Sequence, residues 1–395
     1  MTMTHDKESP TLSERLVSRV LDHLHRGEIE LVLHDGTEKI FAGDEPGPKA
    51  RVEILDPHCA TQLLTSTNIG LAEGYMDGRW DTPDLDAVLD LGAANLVARP
   101  AALTAPTTPI QRALHRFRDN SPRGSKRNIS AHYDLGNDFY RLWLDETMAY
   151  SSAMFSGSED LRSAQVRKWD HLLDLLQPGA KDHVLEIGCG WGGFAVHAAR
   201  QTGCRVTGIT LSEEQHAWAS RLVEEAGLED QVDIRLQDYR EVPGTFDRIA
   251  SIEMFEAVGE RWWPVFFQRI RELLAAGGVA ALQTITIDDA RFDDYRRKPD
   301  FIQRYIFPGG MLPSPERFRA AASTCGLSQS EQTCFGASYV KTLSAWRERF
   351  EAAVPHVLEL GFDERFVRMW RFYLAYCRAG FDAKTIDVCQ VRLEA

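Results

Sequence analysis

A glycine-rich loop at residues 188–193, GCGWGG, carries the clearest chemical signal in the chain. The run before it, residues 184–187, is apolar except for one acid and predicts a buried parallel strand, and FAVHAARQT after it has helical spacing. Glycine has no Cβ, so the backbone can turn sharply and a ligand can approach it closely. A helix that begins at such a turn directs free N–H groups towards the ligand. The segment therefore predicts a site for a charged or nucleotide-like ligand.

The spacing of these glycines is G-x-G-x-G-G, which differs from the G-x-G-x-x-G of dinucleotide-binding folds. With the strand and acid before it, the loop resembles motif I of the methyltransferases that use S-adenosylmethionine (SAM). A tight strand–helix turn without a ligand is the alternative. The resemblance implies that the cofactor meets six residues of the segment: Glu186, Gly188, Cys189, Gly190, Trp191 and Gly192.

Two later strand ends supply further cofactor candidates. In methyltransferase folds the second strand commonly ends in an acid that holds the ribose hydroxyls. Here its place is taken by a run whose hydroxyl and amide groups can also hydrogen-bond a ribose: Thr210, Leu211, Ser212 and Gln215. The third strand ends in Gln237, Asp238 and Tyr239. Asp238 is expected to accept from the adenine amino group, with a solvated loop acid as the alternative, and Tyr239 to cover a ring face.

Composition excludes several classes of protein. The 395 residues include 45 basic and 58 acidic side chains, and this excess of negative charge argues against a general nucleic-acid binder. Seven cysteines, scattered and without a C-x-x-C, predict reduced thiols and neither a disulfide framework nor a metal site. The first fifteen residues lack the apolar core of a signal peptide. No apolar run approaches the ~18 residues that span a bilayer, so only peripheral membrane contact is expected.

The pattern along the chain predicts two domains. Residues 12–26 have helical periodicity, and residues 29–43 alternate around an Asp-Gly turn as in a β-hairpin. Strands are predicted at 183–187, 204–210, 231–236, 246–252 and 278–286, alternating with helices, which is typical of a doubly wound, Rossmann-like α/β sheet. We therefore expect a small α+β domain at residues 1–110, a linker at 111–127 and an α/β catalytic domain at 128–395.

The predicted linker is basic although the whole chain is acidic. It holds a single acid, Asp119, among six cations: Arg112, Arg116, Arg118, Arg123, Lys126 and Arg127. Contact with anionic lipid headgroups is one interpretation, and a solvated flexible linker is the other. Residues 291–310 are polar, then aromatic, then broken by Pro-Gly-Gly, and they are interpreted as a lipid-binding insertion or an ordinary helical one.

Several longer segments together identify a family. The run of residues 132–155 (HYDLGNDFYRLWLDETMAYSSAMF), MFEAVG at 254–259, YIFPGGMLPS at 305–314 and FGASYVKTL at 335–343 resemble the cyclopropane-fatty-acyl-phospholipid synthases and mycolic acid cyclopropane synthases. The resemblance covers about residues 128–395. It implies transfer of a methyl group from SAM to the double bond of an unsaturated acyl chain.

The resemblance also implies roles for individual residues. Tyr133 matches a tyrosine near the reacting centre, with core packing as the alternative, and Tyr150 and Ser151 match positions that touch SAM. In ring-forming members bicarbonate serves as base, and its pocket corresponds here to Ser152, Glu256, Gln283, Ile285 and Tyr339. Ser152 replaces a cysteine and Gln283 a histidine, so hydrogen bonding is kept but the titratable imidazole is lost. Cys377 matches a cysteine proposed as catalytic, although alkene methylation needs no thiol and packing is the favoured role.

Cyclopropane formation on phospholipid acyl chains is the leading expectation. If the proton leaves the transferred methyl, the ring closes; otherwise a methyl- or methylene-branched chain results, and the two replaced residues keep that alternative open. An amine methyltransferase and a lipid-binding protein without catalysis are more remote alternatives. We also expect a cytoplasmic protein at the inner face of the membrane, with a homodimer as the assembly considered.

Overall fold

A computed structural model describes residues 11–98 and 135–395. The described residues divide into two compact units, one of residues 11–98 with 354–385 and the other of residues 135–353 with 386–395. The predicted basic linker and Tyr133 lie outside the described residues. No helix within the described ranges is long and apolar enough to cross a membrane.

The first unit begins with helix α1 (Leu12–Leu21), which starts at a capping box between Thr11 and Glu14. Strands β1 (Arg26–Val32) and β2 (Glu38–Ala42) then form the predicted hairpin, and Gly36 at its turn has a φ of 79°. The remaining elements are listed in chain order: β3 (Glu45–Ile54), α2 (His58–Met76), β4 (Trp80–Asp81) and α3 (Leu85–Ala98). The sheet order is β2-β1-β3-β4, with β3 parallel to β1. A small α+β unit is therefore confirmed.

The second unit is built on a seven-stranded sheet of order β10-β11-β9-β8-β5-β6-β7. Its strands are β5 (His183–Ile187), β6 (Arg205–Thr210), β7 (Val232–Leu236), β8 (Phe246–Ile252), β9 (Leu274–Ile287), β10 (Ser328–Cys334) and β11 (Ile386–Glu394). The first five pair in parallel, whereas β11 and β10 are antiparallel. The five predicted strands and the Rossmann-like sheet are confirmed, and the two antiparallel strands were not predicted.

Helices cover both faces of this sheet. They are α4 (Asn137–Arg141), α5 (Leu161–Leu176), α6 (Gly193–Thr202), α7 (Glu213–Ala226), α8 (Trp263–Leu273), α9 (Asp289–Tyr295), α10 (Pro315–Thr324) and α11 (Gly336–Glu359). Successive residues of a strand face opposite sides, so Val184 enters one core, with Trp169 and Phe194, while Leu185 enters the other, with Phe266. Burial on both faces explains why the strands are apolar runs without alternation.

Helix α12 (Glu364–Asp382) belongs to the first unit, although the sequence placed it in the catalytic domain. Arg368 bonds the carbonyl oxygens of Tyr75 and Trp80. Arg378 forms ion pairs with Asp86 and Asp90 on α3. The chain therefore leaves the second unit, adds a helix to the first and returns as β11, a connection that has no local sequence signal.

The prediction that all cysteines are reduced is wrong for one pair. Cys334 and Cys389 form a disulfide because β10 and β11 pair with these two residues directly opposite, their Cα atoms 4.0 Å apart. Both sulfurs lie beside a carboxylate oxygen of Asp387, but a disulfide presents no thiolate to a metal ion. Antiparallel pairing of segments 55 residues apart cannot be read from cysteine spacing.

We expect this bridge to stabilise the edge of the sheet. A disulfide restricts the unfolded chain, so Cys334→Ser should lower the free energy of unfolding by about 2–4 kcal/mol in non-reducing buffer. Denaturant unfolding of the variant and the parent measures the difference. With reductant present the two should coincide, and Cys325→Ser, which removes a cysteine outside the bridge, should behave as the parent. An equal loss with and without reductant would contradict the prediction.

Candidate active site

The glycine loop joins β5 to α6 and closes against the end of β6. The amides of Gly188 and Cys189 both donate to the carbonyl of Ile209 at 2.9 Å, which holds the two strand ends together. Gly192 has a φ of 87°, and a Cβ there would lie 2.9 Å from the Cβ of Ala219 on α7. Glycine is therefore required both by the backbone conformation and by the packing.

A cavity opens in front of this loop. Twelve of the fifteen residues predicted to hold the cofactor line it: Tyr150, Ser151, Glu186, Gly188, Cys189, Gly190, Trp191, Thr210, Leu211, Gln215, Gln237 and Tyr239. They come from three strand ends and from the segment before α5, so the fold gathers residues that are up to 89 positions apart. The other three, Gly192, Ser212 and Asp238, do not line the cavity.

Two of those three have structural partners instead. Ser212 caps α7, its hydroxyl accepting from the amide of Gln215. Asp238 directs both carboxylate oxygens at Arg240, at 2.8 and 2.6 Å, and also caps the short helix Tyr239–Glu241. Contact between Asp238 and an adenine therefore stays a prediction, which the ion pair does not support.

The end of β6 carries a hydroxyl–amide pair in place of an acid. Thr210 and Gln215 are both buried, and the Thr210 hydroxyl donates to Oε1 of Gln215 at 2.8 Å. Because Oε1 is occupied, the side-chain NH₂ of Gln215 is the group left for a ligand in the cavity. The predicted replacement of the ribose-binding acid thus has a defined geometry.

Two buried charges lie beneath the cavity, and one of them was not predicted. Burial raises the pKa of Glu186 to about 8, and its Oε2 atom has no hydrogen-bond partner. Lys168, on α5, is fully buried, and its Nζ donates to Oγ of Ser151 and Oε1 of Gln165. Burial lowers the pKa of Lys168 to about 8, against the attraction of nearby acids. A cationic ligand such as a sulfonium or ammonium group would favour the ionised form of Glu186 and pair with this oxygen.

The predicted bicarbonate pocket gathers around a residue that the sequence did not single out, Glu253. The amide of Ser152 donates to Oε1 at 2.8 Å, and so does Nε2 of Gln283 at 2.7 Å. The hydroxyl of Tyr339 donates to Oε2 at 2.7 Å. Three groups that were predicted to hold a free anion therefore hold a carboxylate of the chain itself. Glu253 also lines the cavity in front of the glycine loop.

Glu256 lies beside this cluster with a different environment. Its Oε1 accepts from the amide of Ile285 and the hydroxyl of Thr284, while its Oε2 is buried without a partner. Burial and then the negative charge of Glu253 raise the pKa of Glu256 to about 8. The predicted backbone contribution of Ile285 is present in this geometry. An unpartnered oxygen and a raised pKa both favour the protonated form of Glu256 at neutral pH.

The two remaining catalytic candidates are Tyr133 and Cys377. Tyr133 lies outside the described residues. Cys377 lies on α12 in the first unit and is not among the residues that line the cavity. A signal for Glu253 did exist, because an acid directly after a predicted parallel strand stands at the edge where α/β sheets place their sites.

The raised pKa of Glu256 predicts a pH-dependent cost in stability. The unfolded side chain loses its proton near pH 4.5 and the folded one near pH 8, so stability should fall across this window as pH rises. Glu256→Gln keeps the two accepted hydrogen bonds and removes the titration. We expect its advantage over the parent to grow by at most about 1.4 kcal/mol per pH unit between pH 5 and pH 8.

Urea unfolding at several pH values measures this difference. Glu229→Gln, an exposed change in the turn after α7, is the matched control and should show no such trend. A constant difference between Glu256→Gln and the parent at all pH values would mean that Glu256 ionises normally in the folded protein.

Comparisons with known proteins agree with this geometry. The family model described as mycolic acid cyclopropane synthetase matches residues 120–391. The chain is 39% identical over 394 residues to the tuberculostearic acid methyltransferase UfaA1 of Mycobacterium tuberculosis, covering 97% of this chain and 90% of that protein. It is 35% identical to the cyclopropane-fatty-acyl-phospholipid synthase of Escherichia coli K12, covering 87% of each chain.

A solved structure supports the cofactor. Mycolic acid cyclopropane synthase CmaA1, complexed with SAH and CTAB, superposes with a TM-score of 0.65 at 31% identity, covering 68% of this chain and 98% of that one. SAH is the product that SAM leaves after methyl transfer, so the cofactor of the family is SAM. The chain belongs to the mycolic acid cyclopropane synthetase family and is a SAM-dependent fatty acid C-methyltransferase.

Proposed function

We propose that the protein methylates the double bond of an unsaturated acyl chain carried by a phospholipid, and that the product is a branched chain which keeps one double bond. The observation that carries this proposal is the position of Glu253, which lines the same cavity as the glycine loop. A methyl donor bound at the loop would therefore lie beside a carboxylate held by three donors.

The residues around the loop fit SAM. The unpartnered oxygen of Glu186 would meet positive charge of the cofactor, and the NH₂ of Gln215 would donate to a ribose oxygen. Gly190 has open space where a Cβ would project, so the backbone there can approach a ligand closely. When bound, SAM supplies an electrophilic methyl group.

The wall of the cavity suits the positive charge that an alkene acquires when it is methylated. The ring of Tyr150 lines the cavity and packs against Trp143, Trp346 and Phe307, with ring centroids 5.3, 5.5 and 6.3 Å away. Aromatic faces stabilise a cation by roughly 0.5–2 kcal/mol each, and they keep water from capturing it. Glu253, which lines the same cavity, adds negative charge when it is ionised.

The segment between β9 and β10 contacts the turn that carries Glu256, and this contact supports its interpretation as a lipid-binding insertion. The amide of Met311 donates to the carbonyl oxygen of Glu256 at 2.8 Å, and Gln303 bonds the carbonyl of Gly310. Phe307 of the same segment reaches the ring of Tyr150. The apolar part of the insertion is thus positioned to guide an acyl tail, and the basic residues at 112–127, outside the described structure, would face the headgroups.

Two observations favour a branched product over a ring: the residues around Glu253, and the similarity to a relative that is named for a branched product. Ser152 and Gln283 replace the cysteine and histidine that the ring-forming pattern has at these positions. The relative that covers 97% of this chain is named for tuberculostearic acid, a methyl-branched fatty acid. A saturated branch would need a hydride donor in addition, so the direct product retains a double bond. Cyclopropane formation is the second candidate, supported by the similarity to the synthase of Escherichia coli.

Cofactor binding through Gln215 can be tested directly. Gln215→Ala removes the NH₂ and should weaken SAM binding by about 2- to 10-fold, the value of one hydrogen bond. Isothermal calorimetry measures the dissociation constant. Asp238→Asn is the comparison, because Asp238 does not line the cavity and the change should alter affinity less than Gln215→Ala does. The opposite order would assign the nucleoside contact to Asp238.

The lipid product distinguishes the two candidates. Purified protein with SAM and vesicles of a mono-unsaturated phospholipid should release SAH and yield an acyl chain heavier by one CH₂. The products of both candidates have this mass, so proton NMR is needed. We expect signals of an internal double bond or of a =CH₂ branch, without the upfield signals of a cyclopropane ring. Ring signals would favour the second candidate. SAM binding with no lipid methylation would reject both.

A further inference from the structure

We propose that Glu253 is the resident base of the reaction and that the protein needs no bicarbonate. The inference rests on the proposed function, because the acyl cation that must lose a proton exists only if a double bond is methylated. In this step a C–H bond on a carbon next to the cationic carbon breaks, and its electron pair forms the second bond of a carbon–carbon double bond. The proton passes to a carboxylate oxygen of Glu253 and is later released to solvent.

The first support is the hydrogen bonding of the carboxylate. Ser152, Gln283 and Tyr339 direct their donors at Glu253 at 2.7–2.8 Å. These are three of the positions that the resemblance assigns to an anion pocket. Since their donors are already engaged by a side chain of the protein, a separate anion would have to displace Glu253 to use them.

The second support is the backbone at Glu253. Its φ is 48°, a conformation that a residue with a Cβ adopts at a cost of about 1–3 kcal/mol. The amide of Glu253 donates to the carbonyl of Gln283 at 2.8 Å, which holds this turn at the ends of β8 and β9. Glu253 lines the cavity at this turn, and its carboxylate reaches the donors of Ser152, Gln283 and Tyr339. Strain that is maintained in this way is typical of functional positions.

The third support is the distribution of charge. Burial raises the pKa of Glu253 above its usual value, whereas the hydrogen bonds from Tyr339 and Gln283 and the charge of buried Lys168 favour its ionised form. Glu253 accepts three hydrogen bonds, whereas one oxygen of Glu256 has no partner. Of the two acids, Glu253 is therefore the one that carries the charge, and Glu256 the one that keeps its proton. A base must be ionised before it can accept a proton.

A series of hydrogen bonds between side-chain amides explains why glutamine suits position 283. Nδ1 of His171 is hydrogen-bonded to Oε1 of Gln390. Nε2 of Gln390 donates to Oε1 of Gln283, and Nε2 of Gln283 donates to Glu253. Since Oε1 of Gln283 accepts from Gln390, its NH₂ must face the carboxylate. Gln283 is thus a positioning residue for Glu253. With a carboxylate resident in the pocket, position 283 has to supply a donor and not a second base.

Two substitutions of Glu253 separate a base from a structural acid. Glu253→Gln keeps the shape and cannot take a proton, so we expect methylated lipid to form at least about 100-fold more slowly, with no recovery in bicarbonate. Glu253→Gly relieves the positive φ and frees the three donors, so its low rate should rise several-fold when bicarbonate is added. The parent, in carbon dioxide-free buffer with SAM and mono-unsaturated phospholipid vesicles, should be unaffected by bicarbonate. Glu229→Gln is the control and should match the parent.

Binding measurements provide a test that does not depend on turnover. Carbon-13 NMR of labelled bicarbonate should show line broadening with Glu253→Gly and none with the parent. Urea unfolding should show one cooperative transition for both variants, as for the parent, which shows that they are folded.

Two results would overturn the inference: stimulation of the parent by bicarbonate, or a parent-like rate for Glu253→Gln. If the parent binds SAM but methylates no phospholipid, the proposed function fails. In that case, broadening of the bicarbonate carbon-13 signal by the parent would also refute Glu253 as the occupant of the anion site. If the parent causes no broadening, the assignment of Glu253 to that site stands.

Discussion

The active site depends on the register of the parallel strands at the centre of the seven-stranded sheet. Ile187 pairs with Ile209 and Ile252 with Gln283, so the strands end at a common edge. Parallel strands present their carboxyl ends together, and every residue that follows them enters the same region. The glycine loop and Glu253, which lie about 65 residues apart, meet there because of this pairing. A slip of one residue would turn these side chains to the opposite face.

Gathering acids at one edge has an electrostatic cost that the structure only partly offsets. Glu186, Glu253 and Glu256 are withdrawn from water, and the charge of buried Lys168 acts on Glu186 and Glu253. Burying ions is unfavourable unless they are paired and hydrogen-bonded, and two carboxylate oxygens here have no partner. Such an arrangement lowers stability, but it prepares a site for a cationic cofactor and for positive charge on an acyl chain.

Local sequence patterns were sufficient to predict those elements whose structure is decided by neighbouring residues. The apolar runs predicted five parallel strands to within one residue at most ends, and the Asp-Gly turn predicted the first hairpin. The same patterns did not predict the Cys334–Cys389 disulfide, because it needs β10 and β11 to pair. They also placed α12 in the catalytic domain, whereas the structure groups it with the first unit, because the apolar face of an amphipathic helix does not indicate which core it packs against.

The sequence by itself determined the cofactor class, the family and half of the cavity lining, because a strand–glycine loop–helix unit forms locally and its ligand follows from the loop. Only the tertiary structure decided which group the anion-pocket donors meet. Ser152, Gln283 and Tyr339 are separated by up to 187 residues, and nothing in their spacing indicates a common partner. Strand pairing and the turn at Glu253 bring all three to one carboxylate, which changes the expected base from a dissolved anion to a side chain.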